Sequence, residues 1–222
     1  MFYETSSQSR EYFKTFGLSF NPFKALVVPR PIGWVSSIDG DGIANLAPFS
    51  YFNAVSSDPP MVYFAANGTH EADGGEKDTL RNVRETGEFV CNLATFALQR
   101  QMNDSATPAP RWIDEFDAAG VKKLPSRLVK VPRVAESPVH FECKLFQLVE
   151  LPVDPKNKKR NVIAIGHVLG VHIDDALVVD GRVDILKARP IARLGYLDYT
   201  VVESKFALDR PKWPLREELL GA

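Results

Sequence analysis

Lys77-Asp-Thr-Leu-Arg81 sets two cations, a carboxylate and a hydroxyl at the start of a helical pattern. A helix start leaves backbone N–H groups without partners and carries about half a positive charge, which suits an anion such as a phosphate. Lys77 and Arg81 add formal charge there, and Thr79 a hydrogen bond. Read alone, Asp78 or Thr79 serves equally as a plain helix cap with the basic side chains in water. Upstream, Trp34-Val-Ser-Ser37 and Ser50-Tyr-Phe-Asn53 interleave aromatic rings with short polar groups. Trp34 and Phe52 can offer a stacking surface and Ser36, Ser50 and Asn53 polar contacts, as a flat heterocycle requires. The same residues also read as strand core with polar strand edges.

Strands must position these groups. Residues 32–38 place Ile32, Trp34, Ser36 and Ile38 on one face at period two. Asp39-Gly-Asp-Gly42 is a turn signal, and residues 43–47 return as the partner strand. Pro48 has no N–H for a central ladder, so this second strand is expected to bend or bulge there, freeing backbone groups for a ligand. Residues 78–86 form the clearest helix, with Leu80, Val83 and Arg84 at helical spacing and Gly87 as its stop. A short helical turn at 23–28, strands at 61–66 and 88–94, and a helix at 98–103 complete the first half, before an irregular Pro-rich stretch at 106–112.

The second half offers long strands at 139–150 and 161–173, then a hairpin of 177–179 with 183–186 about Asp180-Gly181. Many short strands without β–α–β alternation predict a mainly β barrel. The expected organisation is an N-terminal arm at 1–20, one domain at 21–200 and an extended tail at 201–222.

A net charge of -1 over 222 residues gives no basic field for nucleic acid. Cys91 and Cys143 sit in apolar runs and read as free buried thiols. No apolar run reaches the roughly 18 residues of a membrane span, and the start carries no export signal, so a cytoplasmic protein is expected. His167 and His172, five apart on one strand, face opposite ways, and His70 beside Glu71, Asp73 and Glu76 reads as part of a solvated acidic loop, so no metal is expected. The basic run at 156–160 reads as a solvated loop between strands. Gly-x-Gly-x-x-Gly, Gly-x-Ser-x-Gly and Walker-type loops are missing. A nicotinamide donor would therefore bind without the Rossmann fingerprint, and a hydrolase triad has no support.

Arg30-Pro-Ile32, Asn45-x-Ala-Pro-Phe-Ser-x-Phe-Asn53, Asp58-Pro-Pro60, Lys77-Asp-Thr79 and Thr86-Gly-Glu-Phe89 occur in this order. Together they resemble the flavin reductase-like, FMN-binding split-barrel family, which includes flavoredoxin, over residues 20–200. The resemblance implies a Greek-key split β-barrel, a homodimer, and FMN held non-covalently near the subunit interface. Trp34, Val35, Ser36 and Ser37, with Ser50, Tyr51, Phe52 and Asn53, would line the flavin ring and ribityl chain. Lys77, Asp78 and Thr79 would hold the phosphate. Ala192-Arg-Leu-Gly195-Tyr196 resembles a looser family segment, bringing Gly195 near the flavin and offering Arg193 as a candidate to stabilise charge at flavin N1. The loop at 67–76 and the tail after 200 depart from the pattern and bear on substrate access.

The implied activity is an FMN-dependent oxidoreductase passing electrons from NAD(P)H to an acceptor. The cofactor carries that chemistry, so no acid–base pair is needed. An FMN electron carrier without its own NAD(P)H site, a non-catalytic split-barrel module, and oxidation of a pyridoxine-like amine remain open beside it.

Overall fold

A computed structural model of the chain describes residues 1–5, 9–71, 74–153, 158–211 and 213. Parts of the expected 67–76 loop, of the basic run at 156–160 and of the extended tail lie outside these residues. In chain order, the N-terminal region holds α1 (Arg10–Lys14), α2 (Phe23–Leu26) and the short strand β1 (Arg30–Pro31). Four strands follow: β2 (Gly33–Ile38), β3 (Ala44–Phe49), β4 (Phe52–Ser57) and β5 (Pro60–Asn67). Then come α3 (Asp78–Thr86), β6 (Glu88–Leu93), α4 (Gln99–Asp104) and α5 (Glu115–Ala119). After the two-residue strands β7 (Lys123–Leu124) and β8 (Arg133–Val134), the long strands β9 (Val139–Glu150) and β10 (Asn161–Ile173) cross the molecule. The hairpin β11 (Val178–Val179) and β12 (Arg182–Val183), α6 (Ile185–Ala188), β13 (Ile191–Arg193) and β14 (Tyr199–Val201) finish the described chain.

Seven strands form one sheet in the order β3-β2-β6-β9-β10-β5-β4, with antiparallel pairing throughout. Its two edges, β3 and β4, are separated in the chain only by Ser50 and Tyr51. So short a link forces the sheet to curl until its edges meet, which makes the expected split barrel. The Tyr51 carbonyl accepts the Ala65 N–H at 2.8 Å and ties the junction to β5.

Pro48 departs from the expectation of a bend. It pairs with Trp34 inside an unbroken β2–β3 register. An edge strand has one row of N–H groups facing away from any partner, so a missing donor there costs nothing. The bulge falls instead in β4, between Ala54 and Ser56.

The barrel interior is packed by Val35, Phe49, Phe64, Leu80, Val83, Phe89 and Cys143, with α3 closing one end. A second core joins Trp34, Leu46, Met102, Phe116 and Ile191 on the other side of β2 and β3, beneath α4 and α5. Strand β2 is therefore buried on both faces. Cys91 and Cys143 are free and buried. The N-terminal arm carries an ordered turn, α1, whose Phe13 is buried edge-on to Tyr3 and Tyr12. No helix among the described residues is long and apolar enough to cross a membrane.

Candidate functional site

Helix α3 begins where the sequence places it, with Gly87 in the left-handed conformation at its end (φ 72°). Lys77 occupies the cap position, and no side chain caps the first turn. The helix is pinned to the sheet by two amide–hydroxyl bonds. Asn45 donates to Thr79 Oγ1 at 2.8 Å, and Asn82 donates to Ser37 Oγ at 3.2 Å. The first turn of α3 thereby faces a cavity of about 350 Å³ at the junction of β3 and β4. Ala47, Pro48, Phe49 and Tyr51 give this cavity an apolar wall, while Asn45, Ser50, Asn67, Thr69, Lys77 and Thr79 give polar groups. Residues 105–109 form the opposite side.

Charge is unevenly distributed across it. Asp78 is held by Arg111, which also donates to the Glu76 carbonyl at 3.0 Å, and by His70 Nε2 at 3.2 Å. His70 is thus buried and fixed rather than solvated, a correction to the sequence reading; the loop folds back so that its ring also meets the Ala109 carbonyl at 3.2 Å. Burial, together with the nearby charge of Lys24, pulls the Lys77 ammonium below its ordinary range, while Glu71 opposes this. Glu115 also lines the cavity at 7% exposure, and its Oε2 accepts the Leu46 N–H at 3.2 Å. Burial pushes its carboxyl up to about 7, with the negative charges of Asp78 and Asp114 adding to the shift.

Of the residues singled out from the sequence, Ser50, Tyr51, Lys77, Asp78 and Thr79 come together on this cavity. Trp34, Val35, Ser36 and Ser37 do not. Trp34 is 0% exposed and donates to Ser105 Oγ at 2.9 Å; Val35 packs inside the barrel. Ser36 donates to the Pro132 carbonyl at 2.7 Å, and Ser37 is the acceptor for Asn82. A strand buried on both faces has no side left for a ligand, so these four are core and not cavity wall.

Phe52 and Asn53 line an adjoining recess of about 180 Å³ that shares Ser50 and Tyr51 with the main cavity. Arg193 lies in a further pocket of about 300 Å³, its guanidinium held by Tyr199 Oη and the Tyr196 carbonyl, and is not among the main cavity's residues. Gly195 is a packing residue: a Cβ there would come within 2.4 Å of Ala25 Cβ. Sequence reasoning missed Glu115, Asn67 and the 105–109 wall as lining of this cavity, and gave His70 no place in it. Asn45, part of the motif at 45–53, was the one available signal.

The arrangement offers a flat apolar slot beside an uncapped, lysine-bearing helix start, which fits a planar ring carrying a phosphate. The chain has relatives by sequence and by fold. An uncharacterized protein of Aquifex aeolicus is 40% identical over 171 residues, covering 77% of this chain and 83% of its own. Among solved structures, nitrilotriacetate monooxygenase component B from Bacillus cereus superposes with a TM-score of 0.82 at 27% identity, covering 94% of this chain and 98% of its own. Pseudomonas fluorescens 2-nitrobenzoate 2-nitroreductase superposes with a TM-score of 0.76 at 26% identity, covering 96% and 98%. The model of the flavin reductase-like domain matches residues 25–186, and the chain belongs to that family.

Proposed function

We infer that the cavity binds FMN and that the protein is an oxidoreductase passing electrons from NAD(P)H through FMN to an acceptor. The observation that carries this reading is the uncapped first turn of α3, with Lys77 and Thr79, opening onto the slot walled by Ala47, Pro48, Phe49 and Tyr51. Bound FMN would supply two-electron uptake and stepwise release, which no side chain provides. The chain's own residues bind and orient. Backbone N–H groups of the first turn and the Lys77 ammonium would take the phosphate, an anion that also restores the charge burial suppresses on Lys77. The Thr79 hydroxyl, already accepting from Asn45, keeps its own proton to donate. Phe49 and Tyr51 would exclude water from one side of the ring. A homodimer and a cytoplasmic location belong to the same proposal.

The test begins with the visible spectrum of the purified protein and an FMN fluorescence titration. Lys77→Ala is expected to weaken FMN binding by about 1 kcal/mol or more, roughly five- to tenfold at low salt, with the gap from wild type narrowing as salt rises. Unchanged affinity would make Lys77 a solvated helix residue. Steady-state oxidation of NADH or NADPH by the loaded protein then separates a reductase from a carrier. Turnover with neither donor would leave an FMN-binding electron-transfer protein, and no flavin uptake at all a split-barrel module of another kind.

A further inference from the structure

The pocket of about 300 Å³ beside the main cavity is lined by Lys24, Arg30, Arg193, Ser50, Asn21 and Tyr196, among others, and it contains no acidic side chain. Arg30 and Arg193 are direct cross-strand partners in the β1–β13 pair. Like charges set opposite each other in a ladder destabilise it, and this pair is built into two very short strands. No carboxylate among the described residues forms an ion pair with Lys24, Arg30 or Arg193. Arg30 is 7% exposed; its terminal nitrogens meet only the carbonyls of Lys24, Val27 and Leu194, and its Nε–H is buried with no acceptor. A buried cation without a counterion is costly, and Arg30 is joined at this pocket by the half-buried Arg193 and the exposed Lys24, with no anion paired to any of the three among the described residues.

The fold assembles this site deliberately close to the main cavity. Gly195 lets the turn after β13 press against Ala25 of α2, which brings Arg193 beside Lys24. Ser50 lines both cavities, and the charge of Lys24 is felt at Lys77, so the basic pocket adjoins the main cavity.

We propose that this basic pocket binds an oxyanion, phosphate or carboxylate, of the second ligand that exchanges electrons with the cofactor of the main cavity. The proposal rests on the FMN reading above and assigns Lys24 and Arg193 to the other reactant, not to the flavin. The anion would offset the Arg30–Arg193 repulsion and hold its ligand's reactive end toward Ser50. Two sources share this chemistry: the pyrophosphate of a dinucleotide donor, or the carboxylate of a small acidic acceptor.

The experiment uses the FMN-loaded protein and two redox-inactive probes, ADP-ribose and benzoate, followed by calorimetry and by perturbation of the flavin absorbance. One of them is expected to bind, with affinity falling about tenfold in Arg193→Ala and in the exposed-site variant Lys24→Ala, while FMN affinity changes less than about twofold. ADP-ribose binding would identify the donor as the source, benzoate binding the acceptor. The proposal is overturned if neither probe binds, if the variants bind the probe as the wild type does, or if they lose FMN as Lys77→Ala does. Should the wild type take up no FMN, the functional reading fails by itself. Inorganic pyrophosphate binding to the unloaded protein then decides: loss in Arg193→Ala and Lys24→Ala upholds the oxyanion site, and absence of binding to the wild type overturns it.

Discussion

Glu115 opens α5, where Asp114 caps the first turn by accepting the Phe116 N–H at 2.9 Å. Its carboxyl is turned under β3 toward the Leu46 N–H rather than into solvent, and burial raises it from 4.5 to about 7. The folded protein therefore holds a proton there that the unfolded chain releases near pH 4.5. Stability from this group is complete below pH 4.5 and is lost as pH rises through about 7. Glu115→Gln keeps an acceptor for Leu46 but never ionises. The difference in unfolding free energy between variant and wild type should thus grow in the variant's favour between pH 4.5 and 7, by about 3 kcal/mol, and be flat above. Urea denaturation at pH 5, 6, 7 and 8 measures it; a pH-independent difference would mean that the carboxyl ionises at its ordinary value.

At the scale of elements, the close approach of β10 to the barrel interior depends on one missing side chain. A Cβ at Gly166 would lie 2.2 Å from Phe89 Cζ and 2.5 Å from Cε1, inside a fully buried ring that packs edge-on to Phe64. Neither ring has room to move, so Gly166→Ala is expected to cost about 1–3 kcal/mol and several degrees in the thermal midpoint. Gly170→Ala on the same strand meets only Leu128 Cδ1 at 3.1 Å, the end of an exposed side chain, and should be close to neutral. Equal losses at both positions would show that overpacking against Phe89 does not govern the effect.

The elements themselves were largely legible, because their signals are local. Both long strands and α3 stand where alternation, helical spacing and Gly87 put them, and a hairpin turns at Asp180-Gly181 as expected, although only 178–179 and 182–183 pair. Beyond the hairpin, Ile185–Ala188 form a helix instead of extending the strand. What local pattern cannot carry is which faces are covered. The alternation at 32–38 is that of a half-exposed strand, yet α4 and α5 cover its second face and make Trp34 core. Glu115 went unnoticed for the same reason: five residues make too little periodicity to mark α5, and only its packing on β3 brings the carboxyl to the cavity.

For the whole molecule, closure of the sheet between β3 and β4 leaves the barrel's outer surface as the face available to a partner. That surface carries exposed apolar side chains: Phe146 on β9 and Leu169, Val171 and Ile173 on the adjoining β10, with Val55 on β4 two strands further along. Phe146 is the most prominent at 66%, standing at a bulge, since Leu145 pairs with Gly166 and Gln147 with Ile165, leaving it no partner across the ladder. An isolated large apolar residue needs no explanation, but several on the paired strands β9 and β10 suit an interaction surface. The proposed homodimer would cover them. Wild-type protein at about 10 μM is then expected to sediment with twice the mass of one chain, and specific dimers of this kind typically bury about 1,200 Å² or more. Phe146→Glu places a charge at the exposed bulge without touching the barrel interior, so it should shift the equilibrium toward monomer while leaving the circular dichroism spectrum and the thermal midpoint of the monomer intact. A wild type that is monomeric at this concentration would overturn the dimer, and a variant that stays dimeric would move the interface away from this face of the barrel.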